Sequence, residues 1–99
     1  MANVSRSKWF VYILRCGDGT LYTGITKDVA RRCQQHNAGM ASRYTRSRRP
    51  VALVYREPKA SRSLALKREA AIKGMSRREK EWLIRKAGRR KMRSRRPSK

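Results

Sequence analysis

The chain has 99 residues, with 28 Lys and Arg against 6 Asp and Glu and a formal net charge of +22. Surface-to-volume scaling leaves a chain of this length one small domain and no second core. Such a charge selects a polyanionic partner: nucleic acid first and an anionic membrane well behind, since neither a long apolar span nor a long amphipathic basic helix is evident.

Residues 1–7 are polar and read as a frayed arm. Two apolar runs follow, Trp9 to Leu14 and Leu21 to Ile25, separated by Gly17, Asp18 and Gly19. That is the signature of a β-hairpin. In the first strand Phe10, Tyr12 and Leu14 face one way and Trp9, Val11 and Ile13 the other, so both faces are apolar and the strand is expected to be central. The second strand ends at Gly24, where a missing Cβ lets a backbone or a phosphate approach. From Asp28 to about Met40, Val29, Cys33, His36 and Met40 recur at helical spacing, with Asp28 suited to the N-cap and Gly39 to the C-terminal end. Arg32 and His36 then stand one turn apart, with Arg31 in the more outward phase.

Residues 41–50 read as a loop. Arg43, Arg46, Arg48 and Arg49 with Tyr44 combine guanidinium groups and a stacking ring, which suits a nucleic-acid backbone and equally describes a solvated basic loop. Val51 to Tyr55 reads as a third strand bounded by Pro50 and Pro58, completing a three-stranded antiparallel sheet flanked by helices, an α/β (α+β) fold. A second helix is expected from Ser61 or Ser63 to about Lys73, with Gly74 as its stop. Ala65, Leu66 and Ile72 form its apolar arc, and Glu69 falls inside that arc, where an uncompensated charge is costly. Ser76 and Glu79 make a capping box for a third helix that turns Trp82 and Leu83 inward and ends at Ala87-Gly88. The domain is thus expected over residues 8–87, with 88–99 a basic tail, disordered when alone.

Cys16 and Cys33 supply no disulfide framework and, apart from Cys33 with His36, no metal-ligand spacing; zinc is not expected and a reducing cytoplasm is the simpler setting. Residues 1–8 lack the apolar core of a signal peptide.

Taken together, these residues resemble the GIY-YIG nucleases. Phe10-Val11-Tyr12 corresponds to the first family triplet and Tyr22-Thr23-Gly24 to the second. Arg32 stands eight residues past Gly24, His36 four further on, and Glu69 supplies the expected helical Glu. The resemblance covers roughly residues 8 to 86 and is closest to the small stand-alone bacterial members. The chain departs from the pattern at Phe10 in place of Gly, at Thr23 in place of Ile, and at Ile25, where the excision-repair nuclease subunit carries a Lys.

The resemblance implies a nuclease that hydrolyses phosphodiesters with Mg²⁺ or Mn²⁺ held by Glu69. Tyr12, Tyr22, Arg32, His36 and Glu69 are its expected catalytic residues: a phenolate takes the proton of the attacking water and Arg32 steadies the charge developing on phosphorus. Nearby cations are expected to favour that phenolate, on Tyr12 in preference to Tyr22. Gly24, Arg31, Asn37, Arg43, Tyr44, Arg46, Arg48 and Arg49 are the expected nucleic-acid contacts, although Asn37 and Tyr44 fit a helix end or a packing position as well. DNA is favoured over RNA, repair or recombination intermediates follow by analogy with the family, and no obligate protein partner is evident. The rivals are a non-catalytic nucleic-acid-binding protein on the same fold and a basic RNA- or ribosome-associated protein.

Overall fold

Asp18 turns the chain by accepting hydrogen bonds from the backbone N–H (3.1 Å) and the hydroxyl (2.7 Å) of Thr20, and Gly19 takes a φ of +89°. The turn joins β1 (Trp9–Cys16) to β2 (Leu21–Thr26). The computed structural model describes the backbone of residues 8–95 and the side chains of residues 8–88. The arm 1–7 and the end of the tail, 96–99, lie outside the described residues. After the hairpin come α1 (Val29–Asn37), α2 (Arg43–Arg46), β3 (Val51–Lys59), α3 (Arg62–Lys73) and α4 (Arg77–Arg95).

The sheet is antiparallel in the order β2-β1-β3, so β1 is central as its two apolar faces require. Val11 and Ile13 point to one face and pack with Ala65 and Ile72 of α3, backed by Leu83 and Ile84 of α4. Tyr12, Leu14 and Cys16 point to the other face, where Cys33 of α1 and Val51 join them. Burying each of the large aliphatic side chains stabilises the fold by about 1.5–3 kcal/mol. The helix starts are capped by residues the sequence offers, with Ser61 rather than Ser63 opening α3. Asp28 accepts from Arg31 N, Ser61 accepts from Leu64 N, and Ser76 and Glu79 exchange reciprocal bonds at the start of α4.

Several expectations are corrected. The third strand does not stop at Tyr55 but runs through Pro58 to Lys59, because β3 is an edge strand where a missing N–H costs no ladder bond. Its pairing with β1 slips between Ile13 and Leu14, leaving Val54 as the extra residue of a bulge. The expected loop contains a helical turn, α2, capped by Ser42, whose side chain accepts from Tyr44 N. The third helix does not end at Ala87-Gly88; it continues to Arg95, and a long basic helix is therefore present after all. Isolated Gly costs only about 1 kcal/mol within a helix, too little to stop one. Trp82 and Leu66 face outward, at 54% and 38% exposure, because the sheet is narrow and Leu83, Ile84, Ala65 and Ile72 already fill it.

Candidate active site

The β1–β2 register sets Tyr12 opposite Gly24 and Leu14 opposite Tyr22, so both tyrosines lie on the face covered by α1. A Cβ on Gly24 would stand 2.6 Å from the Tyr12 hydroxyl oxygen and 2.8 Å from its Cζ. The room that Gly24 leaves is filled by this phenol; the close approach expected of a phosphate is made by the protein's own side chain.

His36, on the last turns of α1, is buried and bonded at both ring nitrogens. Nε2 lies 3.0 Å from the Tyr12 hydroxyl and Nδ1 lies 2.7 Å from Thr45 Oγ1. Thr45 Oγ1 in turn donates to the Ser42 carbonyl at 3.3 Å. This chain of bonds assigns the tautomer: His36 Nδ1–H donates to Thr45, leaving Nε2 to accept from the Tyr12 O–H. Burial, with the charge of Arg32, pushes the His36 pKa below its ordinary value, so the ring is neutral at pH 7 as that assignment needs.

Tyr12 departs from expectation. Its pKa is pushed well above the ordinary value, first by burial and then by Tyr22; Arg32 pulls the other way, while Cys33 and Glu69 add to the rise. The expectation that nearby cations favour a Tyr12 phenolate fails because one guanidinium does not offset desolvation. Tyr22 is half-buried and extends the aromatic group: its ring meets His36 edge-on at 5.1 Å and Tyr44 at 5.8 Å.

Arg32 is half-buried on the first turns of α1. With Arg31, Lys27, Gln35 and Trp9 it lines a cleft of about 300 Å³ at the end of β2. Glu69 stands on α3, in the layer across the sheet, and its charge still registers at Tyr12. Its side chain is only 18% exposed, yet among the described residues its one salt bridge is to Lys73 at 3.3 Å. The neighbouring Arg68 reaches Glu57 at 3.1 Å instead. Among the described residues no group of three or more His, Cys, Asp and Glu side chains gathers to hold a metal. A mostly buried carboxylate with one long ion pair nevertheless fits a hard divalent ion that takes its other ligands from water and phosphate oxygens.

The expected nucleic-acid contacts divide. Asn37 Nδ2 donates to Val51 O (3.0 Å) and its Oδ1 accepts from Val51 N (2.7 Å), tying α1 to β3. Arg48 lies 3.9 Å over the Tyr44 ring, donates to Tyr44 O and pairs with Asp18 at 3.1 Å. Arg49 donates to the carbonyls of Arg46 and Asn37. These bonds tie the three residues into the fold around the site, and Arg49, like Arg31, Arg43 and Arg46, is still exposed on the surface. Sequence reasoning missed Thr45, the partner that sets the His36 tautomer; nine residues from His36 in an Arg-rich stretch, it carries no local signal.

Comparison with known proteins places these elements in context. Residues 8–82 match the family model described as the GIY-YIG catalytic domain. A UPF0213 protein of Desulfotalea psychrophila is 59% identical over 80 residues, 80% of this chain and 73% of that one. A UPF0213 protein of Staphylococcus aureus is 53% identical over 75 residues, 76% of this chain and 92% of that one. Two solution structures are similar. The UPF0213 protein of Bacillus halodurans has a TM-score of 0.51 at 44% identity, covering 78% of this chain and 82% of that one. A protein of E. faecalis has a TM-score of 0.57 at 36% identity, covering 83% and 88%.

Proposed function

Because this chain belongs to the GIY-YIG catalytic domain family, we propose that it is a metal-dependent nuclease that hydrolyses phosphodiester bonds, of DNA in preference to RNA. The observation that carries this reading is the contact between the buried Tyr12 hydroxyl and the neutral Nε2 of His36, within reach of the Arg32 charge. A phenol with a raised pKa is no base by itself. Bonded to a vacant imidazole nitrogen, it can take a proton from water while passing its own to His36. Thr45 holds the ring in the tautomer that keeps Nε2 open. Arg32 meets the phosphate and steadies the negative charge that grows on its oxygens. Tyr22 positions the phosphate beside them. Glu69 is the residue that would hold Mg²⁺ or Mn²⁺, which supplies Lewis-acid charge to the phosphate when bound.

The assay that tests this reading offers duplex, flap, junction and single-stranded DNA and matched RNA to the wild type with Mg²⁺ or Mn²⁺. Cleavage is expected, with flaps and junctions preferred if the targets are repair or recombination intermediates. Glu69→Gln is expected to abolish cleavage and leave affinity within a few-fold, because the cationic surface remains. An unchanged cleavage rate in Glu69→Gln removes Glu69 as the metal ligand. Tight binding without cleavage of any substrate selects the rival reading, a binding protein on this fold, which the Glu69–Lys73 pair favours.

A further inference from the structure

The helix α4 carries cations and an aromatic ring that the site described above does not use. Its inner side is set by Leu83 and Ile84, which pack against the core on the face away from Tyr12 and His36. On the outer side Arg78, Trp82, Arg85 and Lys86 are all exposed. At 100° per residue, Arg85, Arg78, Trp82 and Lys86 fall at 80°, 100°, 140° and 180° from Arg77, so they share one arc. The carboxylates of the helix are engaged elsewhere: Glu79 accepts from Ser76 N, and Glu81 holds Arg15 and Arg77. The outer arc is therefore cationic without internal compensation among the described residues. At its centre Trp82 is 54% exposed, with Lys86 Nζ 4.8 Å from its ring centroid.

We infer that this face of α4 is a second nucleic-acid-binding surface: Arg78, Arg85 and Lys86 contact successive phosphates of a single-stranded segment, and Trp82 stacks one of its bases. An indole in water loses hydration entropy that stacking on a base recovers, and stacking tolerates any sequence. Cations on either side of the ring meet the backbone that a stacked base brings with it. Single strand fits better than duplex, because a duplex hides its base faces and would leave the indole without a partner. The inference concerns binding alone and stands whether or not the chain cleaves.

Fluorescence anisotropy with a labelled 20-nucleotide single strand and the matching duplex, at several salt concentrations, tests it on the full chain. Trp82→Ala is expected to weaken single-strand binding roughly tenfold with little change in salt dependence, and to spare duplex binding. Arg78→Ala with Arg85→Ala is expected to lower the slope of log affinity against log salt by about 0.7 per lost contact on the single strand. Both variants should melt as the wild type does, since all three side chains are exposed. Single-strand affinity within twofold of wild type in Trp82→Ala overturns the proposal. So does binding to vesicles containing anionic lipid that requires Trp82 while nucleic-acid affinity is untouched, which would make this face a membrane surface. Because Glu69→Gln keeps α4 intact, loss of cleavage in that variant with the Trp82 effect retained separates this surface from the catalytic reading.

Discussion

The Tyr12 hydroxyl lies 3.0 Å from Nε2 of a buried, neutral His36, and this bond fixes what either residue can do. Tyr12 cannot ionise readily where it is, and His36 cannot protonate readily where it is. Neither acts as a stand-alone base or acid, but the phenol can hand its proton to His36 Nε2 as it takes one from a water molecule, so that the phenol stays neutral and the imidazole ends with the proton.

The lowered pKa of His36 makes stability depend on pH in a defined direction. The unfolded imidazole, near 6.5, binds a proton more readily than the folded one. Its contribution is therefore whole above pH 6.5 and is lost as pH falls below that value, until the folded ring itself protonates. Urea denaturation at pH 8, 6 and 5 should show stability falling across that interval. His36→Gln should be less stable by about 1–3 kcal/mol at pH 8, from lost bonds to Tyr12 and Thr45, and should lack the step.

Gly24→Ala tests whether the space beside Gly24 belongs to Tyr12. The new methyl would lie 2.6 Å from the phenol oxygen, so the ring must move off His36, at a cost of about 1–3 kcal/mol. Denaturation should register that loss without nucleic acid present. Were the space kept for a phosphate, the variant would keep its stability and lose only affinity.

The hairpin, the central β1 and the caps at Asp28, Ser61 and Ser76 were legible because each rests on local chemistry: a turn residue, a period, a side chain near an exposed N–H. Tyr12, Tyr22, Arg32 and His36 were singled out by the resemblance of their order and spacing to the GIY-YIG pattern; the strand register and α1 bring Tyr12, Tyr22 and His36 together, with the Arg32 charge close enough to act on Tyr12 and His36. What escaped reading depends on contacts across the chain. Thr45 acquires its role from a histidine on another helix. Arg48 and Arg49 are bonded to Asp18, Tyr44 and Asn37, contacts that their Arg-rich stretch does not reveal. The fate of Gly88 and Pro58 was misread because their local penalties are smaller than the helix continuity and edge placement that absorb them. The direction of the Tyr12 shift turns on burial, which net charge does not reveal.

Arg15 and Glu81 tie α4 to the central strand. Two bonds of 2.9 Å join them, and the Arg15 guanidinium holds the Glu81 carboxyl down to about 2. A depressed carboxylate contributes stability above its unfolded pKa near 4.5, and that contribution is lost as pH falls towards 2. Both side chains remain partly in water, at 36% and 26% exposure, so the effect is capped near 1 kcal/mol and weakens with salt. Glu81→Gln should lower the melting temperature by a few degrees at pH 7, less at 1 M salt, and by nothing near pH 2.

The two tyrosines are distinguished by partner and by access. Tyr12 has a proton acceptor in His36 Nε2 but is buried, whereas Tyr22 is half-buried and meets the same imidazole only through its ring edge. Proton transfer needs an acceptor more than it needs exposure, so the proposed reading gives the relay to Tyr12 and a positioning role to Tyr22. Tyr12→Phe and His36→Ala should then each remove most of the cleavage rate, and the double variant should lose no more than either one, since both break the same relay. Tyr22→Phe should cost less and keep the wild-type pH profile, whose acid limb falls below pH 6.5 with the protonation of His36. A larger loss in Tyr22→Phe than in Tyr12→Phe exchanges the roles and makes access the deciding property. Additive losses in the double variant separate His36 from Tyr12 and leave the imidazole a structural partner of Thr45.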